Sequence, residues 1–179
     1  MRLRHVLVCC TLMLPCSEAV AQDTRNVGIT MGYPASIGVL WHATDKVAIR
    51  PDFAFSGNSL TETPTVKNST RNVAIGVSAL FYIRKDDHVR TYVVPRLDYS
   101  RSSSSQSAVS STPALGTARW DADLAGSFGA QCALGDRFSV FAEVGVGVSH
   151  STLPVLPGIT SGSANSWGTR SGVGVIFYP

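Results

Sequence analysis

In segment after segment of this chain, every second residue is apolar and the residues between are small or charged. In residues 71–83, Val73, Ile75, Val77, Ala79, Phe81 and Ile83 alternate with Asn72, Ala74, Gly76, Ser78 and Tyr82. A period of two is that of a β-strand, whose successive side chains leave opposite faces. Each such strand therefore has one apolar face and one face that is polar or bare. No segment shows the 3.6-residue period of a helix of ordinary length. Past the N-terminus, none holds the roughly 20 apolar residues that a membrane-spanning helix needs.

The pattern predicts about eight strands, over residues 25–31, 36–42, 47–56, 71–83, 89–101, 120–132, 138–149 and 166–177. In the third, Val47, Ile49, Phe53 and Phe55 oppose Ala48, Arg50, Asp52 and Ala54. In the sixth, Trp120, Leu124, Phe128 and Cys132 oppose Asp121, Asp123, Ser127 and Gln131. In the last, Trp167, Val173, Val175 and Phe177 oppose Arg170, Gly172 and Gly174. Turn signals stand at Gly32-Tyr33-Pro34, Thr44-Asp45-Lys46, Lys85-Asp86-Asp87 and Gly135-Asp136. Residues 57–70, 102–118 and 150–165, rich in Ser and Thr, read as longer loops.

A soluble β-sandwich could show the same spacing. Three observations favour a membrane barrel. Connections alternate between short and long, as they do in barrels with tight turns on one side of a membrane and loops on the other. The strands match the roughly 9–11 residues that a tilted crossing takes, where sandwich strands average nearer five or six. Finally, Arg50, Asp52, Arg96, Asp98, Asp121, Asp123, Glu143 and Arg170 all take the small-residue face. A Lys or Arg turned to mid-membrane lipid costs about 2–4 kcal/mol. A narrow eight-stranded barrel leaves no wide channel, but paired charges with small neighbours fill it. The expectation is an all-β protein: an antiparallel, up-and-down transmembrane β-barrel with a packed polar interior and these eight charges as a structural network. Arg50-Pro51-Asp52-Phe53 is echoed by Arg96-Leu97-Asp98-Tyr99, which predicts two Arg–Asp pairs in the lumen.

The first residues bear on destination. Met1-Arg2-Leu3-Arg4-His5 is a basic start, residues 6–15 are a short apolar run, and Ala19-Val20-Ala21 is a small-x-small cleavage site. Residues 1–21 read as a secretory signal peptide and residues 22–179 as the barrel domain. Pro15 before Cys16 fits poorly with lipidation. Cleavage after Ala21 leaves Cys132 alone, so no internal disulfide framework is expected. Charged residues are 15% of the chain, against about 25% in an average soluble domain. A net charge of +3, spread along the chain, gives no argument for nucleic acid.

With these residues in view, the chain resembles the small eight-stranded outer-membrane β-barrel family, the OmpA/OmpX-like group, over about residues 25–177. The resemblance rests on the strand pattern, the signal segment and the closing strand Gly172-Val173-Gly174-Val175-Ile176-Phe177-Tyr178. That family usually ends in an aromatic residue read by the barrel-assembly machinery. Here Pro179 follows Tyr178, and Phe177 is the equivalent on the apolar face. The resemblance implies residence in the outer membrane, with lipids or lipopolysaccharide and the assembly machinery as partners. It implies roles from envelope stability to adhesion or resistance to host defence, and no single activity.

Chemistry is sparse. His150-Ser151-Thr152 is similar to the His-x-Ser arrangement of the lipid A deacylases, with Thr152 where a Ser is needed and Glu143 as a remote orienting acid. A hydrolase needs nucleophile, base and orienter within hydrogen-bond reach, and this spacing is loose. His42, His88 and His150 are scattered without metal-ligand spacing and read as exposed polar residues. Mutually neutralising lumen charges suit a plug better than a pore. Trp41, Trp120, Trp167, Tyr33, Tyr99 and Tyr178 fall near strand ends, as interfacial aromatic belts do. The expected protein is non-enzymatic, without cofactor or metal, and binds any surface ligand through its outer loops. One rival is a secreted soluble β-barrel that buries the apolar faces and binds a small apolar ligand. Another is a lipid A-modifying enzyme.

Overall fold

The computed structural model describes residues 26–33, 36–63, 66–86, 88–108, 115–152 and 162–179. They form β1 (Val27–Tyr33), β2 (Ser36–His42), β3 (Val47–Thr63), β4 (Val66–Lys85), β5 (Val89–Ala108), β6 (Leu115–Ala133), β7 (Phe138–Thr152) and β8 (Ser163–Phe177). Each strand pairs antiparallel with the next, and β1 also pairs with β8, so the sheet closes into a barrel. Closure leaves no edge with unpaired backbone groups. The segment expected to be a signal peptide, residues 1–21, lies outside the described residues.

The alternation read from the sequence becomes an inside and an outside. Phe53, Ile75, Leu97, Leu124, Val146 and Val175 are exposed on the outer face. Arg50, Ser78, Leu80, Tyr92, Val94 and Gln131 are buried within. β2 joins β3, β4 joins β5 and β6 joins β7 at the same end as Asn26 and Pro179, here the turn end. Thr44 braces the first of these connections, its Oγ1 accepting the Val47 amide at 3.1 Å. Hairpins rise from that end to the far end.

Both strand prolines sit where a ladder is interrupted. The β2–β3 pairing steps from Gly38–Asp52 to Trp41–Ile49, skipping Pro51, and the β4–β5 pairing steps from Ser78–Arg96 to Phe81–Val93, skipping Pro95. Proline has no N–H to give to a ladder.

The structure corrects the loop boundaries. Residues 57–63 and 66–70 extend β3 and β4; 102–108 and 115–118 extend β5 and β6; 150–152 and 163–165 extend β7 and β8. Gly32 and Tyr33, expected in a turn, belong to β1. β4 and β5 have 20 residues each, about twice what a tilted membrane crossing uses. Backbone pairing, unlike burial, needs no apolar face. A polar stretch keeps its N–H and C=O groups and continues the ladder while its partner does. Ser103 pairs with Arg71 and Ser104 with Thr70, whose hydroxyls lie 3.2 Å apart.

Candidate functional site

The interior is divided along the barrel axis. At the turn end Leu40, Ala48, Leu80, Val94 and Ile176 pack with Tyr82, Tyr92 and Tyr178 in one buried cluster. Tyr178, 1% exposed, accepts a 3.2 Å hydrogen bond from Gln131 Nε2 and shares another of 3.2 Å with His42 Nε2. The His42 ring stacks on Tyr82 at 5.7 Å, and Tyr82 meets Tyr92 edge-on at 5.6 Å. Apolar and aromatic side chains thus fill the lumen here.

Charges occupy the middle. Register places Arg50, Ser78 and Arg96 side by side on β3, β4 and β5, and one inward position further on Asp52, Gly76 and Asp98, with Asp123 next on β6. Arg96 reaches over β4 and bonds Asp52 Oδ1 at 2.7 Å through Nη2. Its Nε donates to both oxygens of Asp98 at 2.9 Å. Arg170 on β8 closes the cluster, 2.8 Å from Asp98 and 3.3 Å from Asp123. The crossing is possible because Gly76 has no side chain. A Cβ there would lie 2.7 Å from Arg96 Nη2 and 3.0 Å from Asp52 Oδ1. Shape and charge are therefore set together: Gly76 gives the guanidinium its path, and the carboxylates hold it there.

Arg50 does not pair with Asp52, as the Arg-x-Asp echo predicts. It takes Glu143 on β7 bidentately, at 2.8 and 3.0 Å, with its guanidinium 4.9 Å from the centroid of Phe141. Tyr92 Oη donates to the same carboxylate at 3.0 Å. Bidentate Arg–carboxylate geometry and an added hydroxyl donor are what a buried pair needs to offset its desolvation. Asp121 lies apart from these clusters. It accepts from Arg119, a residue the sequence reading passed over, whose Nη2 also bonds Ser151 Oγ at 2.6 Å. The one available signal was the spacing Arg119-x-Asp121, which repeats the Arg-x-Asp spacing of β3 and β5 in a strand whose faces had already been assigned. Around and above the charges is a cavity of about 500 Å³, lined also by Asn72, Ser100 and Tyr33. The Asp52 Oδ2 atom is buried without a hydrogen-bond partner among the described residues.

The remaining candidates scatter. His150 is exposed on the outer face, 2.7 Å from Asn165, and Thr152 shares its side of the strand. Ser151 points inward and is buried. The His-x-Ser arrangement thus splits across the two faces of β7, and Glu143 is engaged by Arg50 and Tyr92. His42 is not an exposed polar residue but part of the turn-end cluster, because residues of its parity on β2 point inward. Among the described residues, no three His, Cys, Asp or Glu side chains are grouped to hold a metal ion. Tyr33 and Trp41 are exposed near strand ends, whereas Tyr99, Trp120 and Trp167, expected there too, are exposed further inside β5, β6 and β8, because those strands run on beyond them. Tyr178 leaves the expected belt, since it turns into the lumen while Phe177 meets Phe138 at a tilt, 5.1 Å between ring centroids, on the outer face.

A closed antiparallel ring with an apolar exterior and ion pairs inside is the architecture of a small outer-membrane-type β-barrel. A solved structure shows the same fold. A major outer membrane protein from Thermus thermophilus superposes with a TM-score of 0.58 at 11% identity, over 86% of this chain and 98% of that one. CarO of Acinetobacter baumannii aligns with a TM-score of 0.45 at 10% identity, over 88% and 99%. Ail, the attachment invasion locus protein of Yersinia pestis, aligns with a TM-score of 0.44 at 12% identity, over 84% and 93%. No family model matches the sequence, and no curated protein does.

Proposed function

We propose that the protein is a non-enzymatic outer-membrane β-barrel. Its membrane part is a rigid scaffold, and its envelope or surface-interaction role is carried by the far ends of the hairpins. The observation that carries this reading is the continuous apolar exterior of a closed barrel whose lumen charges pair with one another. Exposed apolar surface on that scale drives association in water and costs nothing in lipid. The soluble, ligand-binding rival needs the same apolar faces as a buried core, and they lie outside. A lumen filled at the turn end supports a plugged scaffold over an ion channel. Insertion would employ the barrel-assembly machinery, with Phe177 as its aromatic signal.

The test is a gel of the isolated outer-membrane fraction, run with and without boiling. The reading expects the protein in that fraction, with an unboiled band that migrates faster than the boiled one. Protein recovered only from the soluble periplasm or medium, with no shift on heating, overturns it.

A further inference from the structure

We propose that the outer face of β4–β8, near the far end, is a binding site for a phosphorylated membrane lipid. One acyl chain lies in a groove between strands, and the phosphate rests on Arg101 and Arg71. The proposal rests on the outer-membrane reading above.

The groove comes from one small side chain in a wall of large ones. Register puts Leu97, Leu124, Val148 and Trp167 in one outward row across β5–β8. The next outward row towards the far end has Tyr99, then Ala122, then His150. Because Ala122 is short, a groove of about 470 Å³ opens beside it, bordered by His150 and Asn165 and floored by Leu97, Leu124 and Val148 of the apolar row. Trp167, 87% exposed, forms one of its walls. An aqueous surface gains nothing from so bare an indole, whereas an acyl chain covers it.

The crown of the groove changes chemistry within one more row. Trp120 stacks on Tyr99 at 5.5 Å, and Arg101 holds its guanidinium 4.6 Å from the Trp120 ring centroid. Arg71 lies diagonally beside Arg101 on the same outward face, because Val73 pairs with Arg101 and Arg71 with Ser103. Neither arginine meets a carboxylate among the described residues. The acids of the barrel wall at this height, Asp98, Asp121 and Asp123, are turned inward and engaged. A tyrosine–tryptophan pair marks the level where hydrocarbon gives way to head groups. Two uncompensated cations just above it face the layer in which lipid phosphates lie, and Arg101 is positioned by Trp120 without using an N–H donor on a carboxylate. Apolar groove, aromatic step and paired cations follow one another in the order of a phospholipid's parts, which favours a lipid over a soluble anion.

The test titrates the folded full-length protein, in neutral detergent, with lipid A bearing both phosphates and with the same lipid after their removal. Bound lipid is read by native mass spectrometry. Wild-type protein is expected to bind the phosphorylated lipid the more tightly. Combined Arg71→Gln and Arg101→Gln substitutions reduce that affinity by about tenfold and bring the two lipids level. Ala122→Leu, which fills the groove, weakens both lipids alike. Equal wild-type affinity for the two lipids overturns the proposal without recourse to any variant, as does displacement of the lipid by millimolar inorganic phosphate. An unboiled gel of each sample separates the two levels of failure. A shifted, folded barrel without lipid preference defeats this inference alone. Wild-type protein that never shifts defeats the barrel reading and this inference with it.

Discussion

At the turn end the lumen is filled by Leu40, Leu80, Ile176 and three tyrosines, and Tyr178 joins Gln131 and His42 there by hydrogen bonds. Further along, the same strands point Arg50, Arg96 and Arg170 at four carboxylates around a cavity. The first region excludes space and the second keeps it. The difference follows from side-chain reach. Aromatic rings fill a narrow barrel's cross-section by volume, whereas guanidinium groups must be spanned by carboxylates at hydrogen-bond length. That requirement calls for bare positions such as Gly76 beneath them. The turn end therefore tolerates changes of side-chain volume poorly, and the middle tolerates poorly both the loss of a charge and the filling of a bare position such as Gly76.

The largest effect is expected from Arg96→Met. It removes the cation shared by Asp52 and Asp98, whose side chains are 5% and 13% exposed. Asp98 keeps Arg170, but leaving a buried carboxylate such as Asp52 without its cation costs about 3–5 kcal/mol, to be read as a lower urea midpoint for unfolding from lipid vesicles. Adding Asp52→Asn should recover part of the loss. Next comes Gly76→Val, which overpacks the crossing and costs about 1–3 kcal/mol. Gly168→Val, where a Cβ meets nothing within 4 Å, should leave the midpoint nearly unchanged. Equal effects at the two glycines would remove the distinction drawn for Gly76. Tyr178→Phe keeps the volume of the turn-end filling and deletes its hydroxyl, which Gln131 and His42 share, for about 1 kcal/mol. The smallest effect belongs to Arg119→Ala. Its side chain is 48% exposed, and such a pair contributes less than about 1 kcal/mol, an amount that fades in high salt.

The same contrast marks where the sequence could be read. Alternation put Phe53, Ile75, Leu97, Leu124 and Val146 on the outer face and Arg50, Arg96, Asp98 and Glu143 on the inner one, since parity is a local property of a strand. Pairing is not local. Arg50 meets Glu143 and Arg96 meets Asp52 through register around the ring, so a local Arg-x-Asp echo named the right residues and one wrong partner. The turn-end filling was hidden for a related reason. Leu40, Leu80, Val94 and Ile176 are apolar on the inward face, which elsewhere carries small or charged residues, so hydropathy alone could not separate them from the outer wall. Tyr178 followed the aromatic rule for strand ends but has inward parity. The strand extensions were missed because Ser- and Thr-rich ladders have no hydropathy period, only backbone.

The central claim is that one face of these strands meets lipid and the other a polar lumen. It is tested most directly by spin labels placed one at a time in a Cys132→Ser background. Positions Val93, Leu97 and Val146 probe the outside, and Asn72 and Ser100 the cavity. In lipid vesicles, the outer labels should be relaxed by dissolved oxygen and spared by a water-soluble nickel complex, and the cavity labels should show the opposite order. Outer labels that are immobile and shielded from both agents would mean that these faces are packed against protein, and the membrane barrel would be contradicted.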